Sequence, residues 1–256
     1  MGDSMKIIFK MLLMSTLTTY ALQAHSAIQP EITGGIDLVS QYVSRGLTNS
    51  PENDKVALQV SLNASFDQFY LFYWGSTLNY SFKEIQTGQG RGAEKIEHDF
   101  GAGYNFDALG WNIDIWDAIY YYQGGKNTTA NELGITFSKA LTEKSSVGLA
   151  VTTFLYDVVY MNQWDTYLQL HYTYQINDKV GSAFTAGASY FNNDGQYEGQ
   201  DFLDTQTDFS FRFALAELNY LIHPNVTAYS QFIYGGHDRS DIKQKNQVLF
   251  GLNYAF

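Results

Sequence analysis

Apolar and polar residues alternate with a period of two along most of the chain. That is the pattern of strands with one face in apolar and one face in polar surroundings. The last stretch shows it clearly. Val248, Phe250, Leu252, Tyr254 and Phe256 share one face, and Gln247, Leu249, Gly251, Asn253 and Ala255 share the other. The pattern predicts twelve strands, over 32–46, 56–66, 69–80, 94–106, 111–122, 131–141, 145–160, 164–176, 180–191, 208–222, 226–235 and 246–256. A register slip or bulge is expected near Trp116 and Asp117, where a charge interrupts the alternation. Pro30, Pro51 and Pro224 fall outside all twelve segments, as a sheet requires. No helix of any length is predicted between them.

The connections sort by parity. Every second one is short: 67–68, 107–110, 142–144, 177–179 and 223–225. Most of the others are longer and more polar. This is the plan of an all-β, transmembrane, antiparallel up-and-down barrel of about twelve strands, with short periplasmic turns and longer extracellular loops. Aromatics near the strand ends are expected to form two interfacial girdles, with Phe66, Phe106, Trp111 and Phe256 at one and Tyr80, Tyr120, Tyr160, Trp164 and Tyr190 at the other. The last strand should pair with 32–46, because a barrel removes its edges only by closing on itself.

Composition narrows the picture. Charged residues are 16% of the chain, below the roughly 25% usual for soluble domains, and aromatics are also 16%. There is no cysteine, so no disulfide or thiolate chemistry is open to it. Residues 1–26 read as a secretory signal peptide, with Lys6 and Lys10 before an uncharged apolar run over 11–22. Cleavage is expected near Ala24, Ser26 or Ala27, and translation starts at Met1 or Met5. The barrel then occupies 27–256. The net charge of −11 argues against nucleic acid as a partner.

Between 37 and 141 the chain resembles a known family. The segment Asp37-Leu38-Val39-Ser40-Gln41-Tyr42-Val43-Ser44-Arg45-Gly46 is similar to the opening strand of the TorF-type porins, a family of conserved exported barrels. Tyr70, Trp74 and Ser76 in a Tyr-x-x-x-Trp-x-Ser pattern, Glu97-His98-Asp99 with Gly103-Tyr104, and Tyr120-Tyr121-Tyr122 carry the likeness further. The family usually follows its tyrosine run with Pro-Gly; here Gln123-Gly124-Gly125 stands instead. The resemblance implies a small outer-membrane porin of a Gram-negative bacterium and names no substrate.

The candidate chemistry is that of a pore. Arg45, Glu97, Asp99, Asp165, Asp208 and Arg212 fall on inward faces, where water can solvate charge and lipid cannot. They are candidates for lining and selectivity, against the plainer reading of solvated rim residues or internal ion pairs. Trp116, Tyr167 and Tyr229 are expected to narrow the lumen, which is either open or closed by the acidic loop 192–207 folding in. Gly88, Gly90 and Gly92 lack the spacing of a phosphate loop and read as a surface loop. His98, His171, His223 and His237 show no metal-ligand spacing, and no serine–histidine signature of a hydrolase is evident. No cofactor or metal is expected. The sequence therefore predicts passive diffusion of small hydrophilic solutes or ions, with weak cation preference from the acidic outer mouth. The alternatives are an adhesion barrel with a blocked lumen and an outer-membrane hydrolase. Expected partners are membrane lipid and lipopolysaccharide, the barrel assembly machinery reading Phe256, and a second copy of the chain.

Overall fold

The computed structural model describes residues 29–48, 52–200 and 202–256. The signal peptide expected over 1–26, with its expected cleavage at Ala24, Ser26 or Ala27, lies outside the described residues. The strands are β1 (Glu31–Val39), β2 (Ala57–Phe66), β3 (Phe69–Thr77), β4 (Ile96–Ala108), β5 (Trp111–Tyr122), β6 (Ala130–Thr142), β7 (Ser145–Phe154), β8 (Thr166–Gln175), β9 (Val180–Tyr190), β10 (Phe209–His223), β11 (Val226–Gly235) and β12 (Gln247–Ala255). They form one closed antiparallel barrel in sequence order. The seam is the expected one, with β1 paired to β12 from Gly35 opposite Ala255 to Val39 opposite Gly251. Beyond the strand, Gly34 and Phe256 exchange both backbone hydrogen bonds at 3.0 Å. Among the described residues no helix is long and apolar enough to cross a membrane.

The alternation places the apolar residues outside. Val248, Phe250, Leu252 and Tyr254 on β12 are 45–61% exposed, and Leu38, Leu71, Phe100, Leu170, Phe184 and Leu218 repeat this round the ring. A belt of that composition fits hydrocarbon rather than water. Inside, the barrel half near the short turns holds polar side chains that bond to the next strand or the next but one. Asn105 and Asn112 exchange hydrogen bonds of 2.9 and 2.7 Å. The Tyr70 hydroxyl donates to Asp114 at 2.9 Å, and Ser146 and Thr173 share a hydrogen bond of 2.6 Å.

The structure corrects four expectations. First, β1 ends at Val39 rather than 46. Ser40 makes the last ladder contacts, donating N–H to Phe250 O at 2.8 Å and accepting Phe250 N–H on its hydroxyl at 3.0 Å. Residues 40–48 then turn into the lumen, with Arg45 and Gly46 both in the left-handed region at φ 50 and 74. Second, β4 and β5 pair without a break from Glu97 opposite Tyr122 to Ala108 opposite Trp111. Asp117 therefore faces outward, where Asn131 Nδ2 donates to it at 2.7 Å. Third, 145–160 is strand only to Phe154. Fourth, the long loop after β3 contains a six-residue helix, α1 (Phe82–Thr87), and a 3-10 turn at Gly92–Glu94. The Ser81 side chain accepts from Glu84 N–H at 3.0 Å and so caps α1.

Candidate functional site: a charged chamber in the outer half of the lumen

Residues 40–48 cross the lumen and dock on the far wall. Arg45 reaches β6, where its Nη2 donates to both oxygens of Glu132 at 2.7 Å. Glu132 has no solvent exposure. It also accepts the hydroxyls of Tyr120 and Thr152, each at 2.5 Å. The Arg45 guanidinium lies 4.6 Å from the centroid of the Tyr167 ring and 5.8 Å from that of Phe154. Val43 packs on an apolar cluster of Tyr167, Phe213, Ile233 and Leu249. Ion pair and apolar seat together fix the segment, since a buried carboxylate is tolerable only when paired and fully hydrogen-bonded.

The outer loops interlock above it. The α1 residue Phe82 contacts the rings of Tyr122, Tyr160 and Phe202 at 4.7, 5.2 and 5.8 Å. Arg239 pairs with Asp165, donates to Thr205 Oγ1 at 3.0 Å and lies 3.7 Å from Glu198. Burial raises the Asp165 carboxyl, against the pull of Arg239 and two backbone N–H groups. The loop acid Glu198 behaves oppositely. Burial raises it too, but hydrogen bonds from Asn162 and Thr205, with Arg239 nearby, bring it below the usual carboxylate range. Thr48 N–H donates to Gln244 Oε1 at 2.7 Å, and Lys245 Nζ pairs with Glu52 at 2.7 Å.

Between cap and crossing segment lies a chamber of about 570 Å³. Its lining combines rings, among them Tyr42, Trp74 and Tyr120, with Arg45, Arg212 and Arg239 and with Glu97, Asp99, Asp204 and Asp238. The Tyr122 hydroxyl donates to Glu97 at 2.7 Å. Arg212 and Arg239 lie over one ring, Phe191, at 5.3 and 5.0 Å. Arg212 owes its position to a β-bulge. Phe211 pairs with Ala188 and Phe213 with Gly187, so Arg212 is the extra residue between them. The bulge reverses the parity of β10. Phe209 and Phe211 point out before it, and Leu218, Tyr220 and Ile222 point out after it.

Of the predicted lining residues, Arg45, Glu97, Asp99 and Arg212 come together in the chamber. Arg45 does so from the crossing segment rather than from a strand end. Asp165 precedes β8 and belongs to the loop cap, tied to Arg239 and to the N–H groups of Asn162 and Asn192 at 2.8 Å. Asp208 is exposed and does not line the chamber. Tyr167 supports Arg45. Trp116 faces in across Gly134, where any Cβ would meet the indole, and Tyr229 stands over Gly251 with its hydroxyl 3.4 Å from Asp37. The sequence reading placed Tyr80, Tyr120 and Tyr160 in an outer girdle, and they line the chamber instead. For Tyr120 the reason is the unbroken β5 register, which puts it on the face of Trp116. Tyr190 and Trp164 are exposed, as a girdle requires. His98 faces outward and shares a 3.0 Å hydrogen bond with Tyr73, and His171 shares one of 2.8 Å with Thr185. Among the described residues no cluster could hold a metal ion. Sequence reasoning missed Glu132, the anchor of the crossing segment, because nothing local pairs it with Arg45.

A family profile described as bacterial protein of unknown function (Gcw_chp) matches residues 23–256. The chain belongs to the Gcw_chp family. Among curated proteins no sequence relative is found. Solved structures share the fold of this Gcw_chp barrel at low identity. The KdgM porin matches with TM-score 0.56 at 10% identity, covering 88% of this chain and 99% of its own. The NanC porin gives 0.55 at 14%, covering 86% and 98%. An outer-membrane channel from Pseudomonas putida F1 gives 0.51 at 12%, covering 89% and 95%. The Gcw_chp chain thus shares the fold of outer-membrane porins.

Proposed function

We propose that the protein is an outer-membrane channel that passes small hydrophilic solutes and ions by passive diffusion through a narrow, charge-lined lumen. The observation that carries this reading is the crossing segment. Residues 40–48 are seated inside a closed barrel with an apolar exterior and leave a polar chamber beside them rather than a filled core. The fold shared with porins supports it, as does the resemblance of 37–46 to TorF-type porins. KdgM has been solved in complex with disordered oligogalacturonate, so a barrel of this fold can bind a polar chain.

Selectivity follows from the lining. Glu97, Asp99, Asp204 and Asp238 face Arg45, Arg212 and Arg239, and Arg45 is already offset by Glu132. That balance favours cations weakly. Planar-bilayer recording under a salt gradient is the test. We expect a small reversal potential of cationic sign; anion preference overturns the selectivity, and silent membranes overturn the channel.

The interlocked outer loops favour one second reading, a binding barrel that works through its cap. Deleting 192–207 separates the two. A channel stays conductive or widens, whereas a binding barrel loses its partner. We read the protein as no enzyme, and turnover of phospholipid by the purified barrel would overturn that.

A further inference from the structure

Two ionisable groups on opposite walls of the chamber have hydrogen-bonding atoms that nothing answers. Asp99 and Arg212 both line it, on β4 and β10. These strands lie six apart either way round the ring of twelve. Asp99 is 8% exposed and Arg212 3%. Asp99 Oδ1 and Arg212 Nε have no hydrogen-bond partner among the described residues. Their neighbours differ from them. Glu97, on the same face as Asp99, accepts the Tyr122 hydroxyl. Arg239 is engaged by Asp165, Glu198 and Thr205. Arg212 Nη2 makes a long 3.5 Å bond to the Arg45 carbonyl. Buried polar atoms without partners are costly, and native folds keep few of them without a reason.

The surroundings suit different charges at the two ends. The cross-strand partners of Asp99 are Trp74 on β3 and Tyr120 on β5, both chamber-lining rings. An acid flanked by two aromatic residues suits an ammonium group. Arg212 is aimed inward by its bulge, and a guanidinium suits a carboxylate. We propose that the chamber binds a zwitterion of short-peptide size, its ammonium at Asp99 and its carboxylate at Arg212. A plain cation or anion would answer one orphan atom and meet a charge of its own sign at the other. The chamber volume of about 570 Å³ falls within the range of ordinary small-ligand sites. This deepens the channel reading and rests on it for the solute's route in.

The test is calorimetric titration of the full-length refolded barrel with glycylglycine, glycinamide and N-acetylglycine. Glycylglycine should bind about tenfold more tightly than either singly charged probe, the worth of one charge-assisted hydrogen bond. D99N and R212Q should each remove that preference, while D99E and R212K keep most of it. Affinities of the three probes within twofold of one another in the unsubstituted protein overturn the proposal, whether or not the variants fold. So does a preference that survives either D99N or R212Q. Potassium chloride conductance of the same preparation is recorded separately. Preference without conductance overturns the channel and leaves the site; conductance without preference overturns the site and leaves the channel.

Discussion

Toward the short turns, many inward polar side chains bond to near neighbours in sequence, with longer reaches at Tyr70 and Asp114 and, across the seam, at Asn253 and Asp37. Asn105 and Asn112 are 7 residues apart, and Gln231 and Glu217 are 14 apart. Around the chamber the corresponding separations are 74 for Arg239 and Asp165, 87 for Arg45 and Glu132, and 196 for Thr48 and Gln244. The inner half is a set of cross-strand pairs, each replaceable by its neighbours. The outer half is a network of buried charges whose main ties run between residues far apart in sequence. Removing one member there strands another, and that difference orders the expected effects.

The largest effect should come from Arg45→Ala. It leaves Glu132 buried without its counter-charge, a loss of about 3–5 kcal/mol. Urea unfolding in lipid vesicles would read the loss, and single-channel conductance should rise as 40–48 leave their seat. Glu132→Gln added to R45A should recover much of the stability; two full, additive penalties would show that the pair does not hold the segment. Next comes Gly134→Ala, which drives a Cβ into the Trp116 indole and should cost about 1–3 kcal/mol by overpacking. It sharpens the comparison, because its target is fitted shape rather than charge.

A smaller effect is expected from pH. The folded-state pKa of Glu198 is depressed, so its contribution is present above the ordinary glutamate range and is lost as pH falls through the lowered value. Its partners Asn162, Thr205 and Arg239 tie the outer loops together, so acid should increase protease cleavage within 192–207. Asp165, with its raised carboxyl, works in the opposite direction. Glu198→Gln isolates the Glu198 share, and an unchanged pH profile in that variant would count against it. The smallest effect should be Asn112→Ala in the inner half. It removes one member of an exchangeable pair and should cost about 1 kcal/mol or less in the same urea assay. A loss as large as that of R45A would erase the contrast between the halves.

The inner half and the outward face were legible in the sequence because both rest on a period of two and on turn length. That was enough for twelve strands, the seam and the inward placing of Glu97, Asp99 and Arg212. The outer half was not, because its pattern continues while its structure changes. Residues 36, 38 and 42 read as one apolar face, and only the serine at 40 marks where the strand stops. Asp117 looked like a slip because a lipid-facing carboxylate is costly; Asn131 answers it from the next strand instead. The β10 bulge did leave a trace, since its outward apolar residues change from odd to even positions between Phe211 and Leu218. Asp165 and Asp208 carried no local mark to separate a loop clamp or an exposed rim from a lumen wall.

The seat of residues 40–48 also bears on how the molecule is put together. Its apolar part comes from β8, β10, β11 and β12, and its ion-pair partner from β6. One of the earliest stretches of the chain therefore finds its place only after the latest strands have formed. An incomplete sheet has no such seat, so narrowing of the passage marks the end of assembly rather than its beginning.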